Sequence, residues 1–449
     1  MKFCLGLTAA AIAATAISLH AGVLPAEADR LKGELTPLGA ERAANKDGTI
    51  PAWTGGMTTP VPGETLGGRR GNPFKDEKPL YSITPANAAQ YAEKLTDGQK
   101  ALLKKYPDYR IDVYKTHRTA AAPQWIYEET FKNATRGRLN GYVPENVYGG
   151  VPFPIPGNGV EVMWNHLVRW RGVAWGLKSN QYLVSADARS VLVSETEADM
   201  QTAYSIPDGS PEQFAKAGMK YVQLRQLTTG PSIRAGEAIA GSQFMEKDSE
   251  AWVYLTGQRR TRKLPNPCCD TPTPSAAGMM SFDELETFQG RLDRFDWKLV
   301  GKQEKLIPYN GNLLLQPKSD KEVISKFGLN PDFVRWELHR VWVVEATLRE
   351  GQRHQAVRSR YYCDEDTWLC SLGDRWDSQG QLWRTLWTHN VVAPEIPATA
   401  SDVYGVNDLL SGTSFVFGLS NEKNVQRPTK PKYPDSNFTP DAIASESVR

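Results

Sequence analysis

Between Arg360 and Cys370 the chain reads RYYCDEDTWLC, which sets three consecutive acids, Asp364, Glu365 and Asp366, between two cysteines. Carboxylates so close together suit acid–base work, a metal ion or the polar tip of a hairpin. A calcium loop wants oxygen ligands at alternating positions, a glycine for the bend and a distant glutamate, and these are missing. Paired catalytic carboxylates come from separate elements facing a cleft rather than from one exposed turn. Asp-Glu-Asp-Thr has the polarity of a turn between two strands, so an exposed structural turn is favoured over a site. Cys363 and Cys370 flank it and are placed to close it with a disulfide. The alternative pairs either of them with Cys268 or Cys269.

No other pattern calls for chemistry. Adjacent cysteines such as Cys268 and Cys269 do not ligate one ion easily, and zinc sites space their cysteines by two to four residues. The six histidines form no HxH or HxxxH pair. No GxSxG elbow, Walker A loop or GxGxxG is present. No metal site, cofactor or catalytic residue is therefore assigned. The formal net charge of +2 leaves no footprint for nucleic acid. The basic run GQRRTRKL reads as a solvated strand face.

The elements that position these residues read as mainly β. Lys2 followed by the apolar run Phe3–Leu19 has the layout of a secretory signal peptide, residues 1–21, with cleavage after Ala21 or Ala28. Export implies an oxidising compartment, the periplasm, where disulfides persist. Residues 22–80 carry turn formers and read as an extended arm, and residues 81–420 as the main domain. Thr84 opens a helical stretch that runs to Pro107. Tyr109–Ala120 reads as a strand, PQWIYEETFKNATRG as a short helix and Val160–Arg171 as β. Ser281 and Glu284 stand at capping-box spacing. From residue 334 on, turn signals at Glu350-Gly351, Asp364–Thr367 and Asp377–Gly380 predict an antiparallel meander. Residues 421–449 read as a surface tail.

Along Val334–Leu348 the period of two puts Trp336, Leu338, Arg340, Trp342 and Val344 on one largely apolar face. With Trp252 they are candidates to line a ligand cavity, since such pockets are mostly apolar with a few polar contacts. Arg340 would pair with a ligand's acidic head group or, the favoured reading, form an internal salt bridge or reach out to the sheet's edge.

Three blocks, LTPLGAERAANKDGTIPAWTGG (Leu35–Gly56), DRFDWKLVGKQEKLIPYN (Asp293–Asn310) and RWELHRVWVVEATLREGQRH (Arg335–His354), resemble the hallmark segments of domain-of-unknown-function family 1329. These are exported proteobacterial proteins often labelled outer-membrane lipoprotein-sorting proteins. The resemblance implies a LolA/LolB-like architecture: a large curved antiparallel sheet forming an incomplete barrel, with helices on its concave side. WVYLTGQRRTRKL (Trp252–Leu264) resembles a strand pair recurrent in that superfamily. The family implies a hydrophobic or lipid-like ligand, and as partners a resistance-nodulation-division type exporter and an outer-membrane β-barrel protein. The function expected is a periplasmic, non-enzymatic carrier. The alternatives are a periplasmic hydrolase using the acidic turn, or a scaffold of an export complex.

Overall fold

The computed structural model describes residues 22–62, 68–423 and 429–447; the expected signal peptide lies outside them. Alternating, β-branched and aromatic segments form one sheet of sixteen strands. Its long members are β1 (Ala174–Val184), β2 (Ser190–Gln201), β3 (Lys220–Gly230), β4 (Ala238–Phe244), β5 (Glu250–Leu255), β6 (Arg260–Lys263), β7 (Phe295–Pro308), β8 (Trp336–Leu348), β9 (Arg358–Asp364), β10 (Cys370–Trp376), β11 (Leu382–Ala393), β12 (Ala398–Asp408) and β13 (Ser414–Leu419). They run β7-β8-β9-β10-β11-β12-β13-β1-β2-β3-β4-β5-β6, each antiparallel to its neighbours. Two hairpin meanders thus join through β13 and β1, where Phe415 pairs with Leu183. Among the described residues β6 and β7 do not pair, so the sheet is open. It also curls. The rings of Trp336 on β8 and His389 on β11 lie 6.3 Å apart, although three strand spacings would separate them by about 14 Å in a flat sheet.

Both faces are covered. On one, the helices Gln124–Arg136 and Gly159–Leu167 bury Ile126, Val162, Met163 and Leu167 in a cluster with Val344, Ala346 and Tyr361. The helix Gly159–Leu167 lies where the sequence reads as β. Asn158 caps it by accepting from the Glu161 amide (3.0 Å), and every one of its residues is buried. The helix is short, and the valines at its start, alternating with Glu161, favour a strand reading. The strand expected over Tyr109–Ala120 shrinks to Ile111–Val113. The helical stretch expected from Thr84 divides into a 3₁₀ turn (Ala88–Lys94) and an α-helix (Asp97–Lys105) capped by Thr96 with Gln99.

That second helix buries Leu102 and Leu103 on the opposite face, in one cluster with Val341, Val343, Tyr362, Leu372 and Trp387. Its first turn meets the sheet at Gly98, whose amide donates to Asp374 Oδ2 (3.1 Å). A Cβ there would lie 2.2 Å from both Asp374 Oδ1 and Thr385 Oγ1. Gly98→Ala is therefore expected to lift the helix and destabilise the protein by about 1–3 kcal/mol. A denaturant midpoint that does not move would refute this docking.

Candidate functional site

The apolar face of β1–β4, β12 and β13 is not open to solvent. A segment without long helices, residues 268–293, lies across it. Ser281 and Glu284 form the expected capping box around a single 3₁₀ turn, Phe282–Glu284. Three buried acids then fasten the segment. Asp283 bonds Arg375 (3.0 Å) and His354 (2.9 Å). Glu284 bonds Arg384 (2.7 Å), and Glu286 bonds Arg169 and Arg171. Despite burial, Arg375 and His354 hold the Asp283 carboxyl far below the usual range. Arg171 and Arg169 likewise pull Glu286 down to about 2.

Beneath the segment lies a cavity of about 70 Å³ whose walls include Trp175, Met200, Leu224, Ile239, Phe282, Leu285, Tyr404 and Phe417. Beyond Gln289, which borders both, a second cavity of about 230 Å³ opens among Tyr142, Trp164, Tyr221, Phe244, Met245, Cys268, Arg291 and Asp293. Together they offer an apolar inner end and a more polar mouth, with Gln289 in the wall of both.

The acidic turn forms the expected hairpin tip, but it is not exposed: Asp364, Glu365 and Asp366 are 0, 1 and 2 % exposed. This corrects the reading of a solvated tip. The cause is the N-terminal arm, which lies over it. Trp368 donates to Leu38 O (2.8 Å) and Glu41 N to Glu365 (3.3 Å). Arg340 Nη2 donates to Ala43 O (2.8 Å). Cations from separate elements neutralise the acids. Arg118 grips Asp366 through two bonds (2.7 and 2.8 Å), while Arg340 (2.9 Å) and Lys302 (2.8 Å) hold Glu365. Asp364 turns one oxygen to Thr367, whose amide and hydroxyl donate at 2.9 and 2.6 Å.

The family described as a protein of unknown function, DUF1329, matches the chain over residues 82–444. The chain belongs to the DUF1329 family. The block Leu35–Gly56 precedes the matched residues; the other two blocks lie within them. A relative from Pseudomonas aeruginosa, uncharacterized protein PA3922, is 39% identical over 452 residues, covering 98% of this chain and 97% of that one. Among solved structures, a DUF1329 family protein from Desulfovibrio piger aligns with TM-score 0.42 and 14% identity, over 61% of this chain and 92% of that one. A putative outer membrane lipoprotein-sorting protein domain from Vibrio parahaemolyticus aligns with TM-score 0.45 and 11% identity, over 64% and 98%.

In this DUF1329 protein the six sequence candidates are scattered. Trp336 meets a small cavity, of about 40 Å³, on the face carrying helix Asp97–Lys105. Leu338 packs in the same core cluster. Arg340 forms the internal salt bridge with Glu365. Trp342 stacks parallel to Trp368 (6.4 Å) under Lys302, and Val344 is buried against Gly159. Trp252 sits by the C-terminal helix Pro440–Ser447, whose Ile443 is fully buried. None of the six borders the two cavities at Gln289. Cys363 and Cys370 are joined by a disulfide, and Cys268 is joined to Cys269. The residues that line the cavities were missed because they come from β1–β4, β12, β13, the helix Gly159–Leu167 and the covering segment, whose adjacency no local pattern reveals. The capping box at Ser281 was the one signal of the covering segment.

Proposed function

We propose that the protein is a non-enzymatic periplasmic carrier for an apolar, lipid-like ligand held between the sheet and residues 268–293. The adjoining cavities at Gln289 carry this reading. Their combined space, about 300 Å³, lies at the lower end of small-molecule sites. An apolar tail would fill the inner cavity, and a polar end would stay near Arg291 and Asp293. A longer acyl chain requires the covering segment to lift. Its attachment through ion pairs, rather than continuous strand pairing, suits that movement.

Two disulfides and the leading apolar run support residence in the periplasm. Passage of the ligand between a resistance-nodulation-division type exporter and an outer-membrane β-barrel partner extends the same reading. The hydrolase alternative is less well supported, because the arm covers the turn and keeps a substrate from reaching it.

Native mass spectrometry of protein purified without detergent should show a near-stoichiometric apolar molecule. Leu224→Trp, which fills the inner cavity, should weaken uptake of that molecule or of an apolar dye at least about tenfold while leaving the circular dichroism spectrum unchanged. Equal uptake by the variant would remove the inner cavity from the reading. An empty protein that takes up no apolar dye would remove the carrier itself.

A further inference from the structure

His339 Nδ1 and Asp364 Oδ1 face each other beside the acidic turn, too far apart to share a hydrogen bond. His339 Nε2 lies 3.1 Å from Glu337 Oε2. Glu337 also accepts from Arg335, Asn310 and the His117 amide, so it is a carboxylate and the imidazole proton sits on Nε2. Nδ1 points the other way, 3.9 Å from Asp364 Oδ1. That oxygen is fully buried and has no hydrogen-bond partner. Asp366 completes the group: one donor atom each from His339, Asp364 and Asp366 lies within 4.8 Å of the others. Tyr309, stacked on the His339 ring at 3.8 Å, ends in a buried hydroxyl that, like Asp364 Oδ1, has no hydrogen-bond partner among the described residues.

The charges in this pocket identify what is lacking. Asp366 has Arg118, Glu365 has Arg340 and Lys302, and Glu337 has Arg335. Asp364 has Thr367 but, among the described residues, no ion pair with a lysine or arginine. A buried carboxylate with an unused oxygen, opposite an imidazole nitrogen that has no other partner among the described residues, is a place for a cation.

We infer that His339, Asp364 and Asp366 bind one divalent transition-metal ion of the zinc class. One imidazole nitrogen with two carboxylate oxygens is a donor set such ions accept. Glu337 stands behind His339 as the outer carboxylate that fixes a metal-binding histidine's tautomer and orientation. The Arg118 bonds do not use up Asp366, since each carboxylate oxygen keeps a second lone pair. Zinc bonds of about 2.0–2.1 Å would draw the three donors closer together, to edges of about 3.4 Å. The ion would join β8 to the β9–β10 turn beneath the arm, a structural role independent of the apolar cavities.

The test is elemental analysis of the chain purified without chelator, followed by calorimetric titration of the chelator-treated protein with zinc alone. About one equivalent of metal per chain is expected, together with saturable 1:1 zinc binding and a raised melting temperature. His339→Ala and Asp364→Asn should each abolish the 1:1 binding, and Glu337→Gln should weaken it about 10–100-fold. Absence of both metal and zinc binding in the wild-type chain overturns the inference, whatever the variants do. So does wild-type affinity in folded Asp364→Asn, which would mark surface binding only.

Discussion

Replacing Arg375 with alanine is expected to destabilise the protein by about 3–5 kcal/mol, the loss found when one member of a buried ion pair is removed. Its guanidinium, 1 % exposed, donates to Asp283 Oδ2 (3.0 Å), to Asp283 O (3.2 Å) and to the Tyr361 hydroxyl (3.3 Å), with Glu284 at 3.6 Å. Without it Asp283 remains buried with only the hydrogen bonds of His354 and Ser281, and must lose its charge or carry water inward. Residues 281–290 would then detach from the sheet and open the inner cavity. Apolar-dye binding should therefore rise in rate even as stability falls. Exchanging both partners for apolar residues of similar size, Arg375→Met with Asp283→Leu, should cost much less than Arg375→Ala, because no bare charge is left inside. Urea midpoints read the difference. A loss below about 1 kcal/mol for Arg375→Ala would show that the ion pairs do not hold the segment.

How much of this was legible depended on the range of the interaction. The hairpins of β8–β11 announced themselves through local turn chemistry, and the register follows from it. With Trp342 opposite Cys363, Arg340 necessarily falls near Glu365, so the one cation on an apolar face was already matched to the acidic turn. What remained hidden was the third partner. Nothing local says that the arm at Leu38–Ala43 covers that turn, or that Arg118 and Lys302 converge on it from elements far away in sequence. Burial turned a polar tip into a charge-compensated interior. The helix Gly159–Leu167 was hidden for another reason: it is nine residues long and opens on valines that alternate with Glu161, which locally is a strand pattern. The cavity was hidden by topology, because β13 and β1 pair across a long stretch of chain and so bring Phe417 and Tyr404 onto the same face as Trp175 and Leu224.

On metal-free protein, stability should stay nearly level between pH 6.5 and 4 and then collapse below pH 4. Four buried groups oppose one another in the level range. His166 is held neutral, with Nε2 donating to Phe288 O (2.9 Å) and Nδ1 accepting from the Cys370 amide (3.0 Å), and burial pushes it down to about 3. Burial takes His389, packed edge-on to Trp387, to about 3 as well. Between pH 6.5 and 3 the unfolded chain binds more protons at these histidines, so acidification removes stability. Asp364 and Asp374 act in the opposite sense. Burial raises both to about 6, helped at Asp364 by Asp366. With folded values above the unfolded 3.9, they add stability as the pH falls from 6 to 4 and nothing further below. Below pH 4 the histidines are no longer offset, and Glu286 and Asp283, both depressed by their cations, begin to lose their stabilising pairs as well. His389→Phe removes one opposing group and fits between the rings of Trp336 and Trp387. In that variant stability should rise on going from pH 6 to 4, by about 1 kcal/mol per pH unit. Chemical denaturation at each pH reads this slope directly, and a variant profile that stays parallel to the wild type would show that His389 is not the buried neutral group described above.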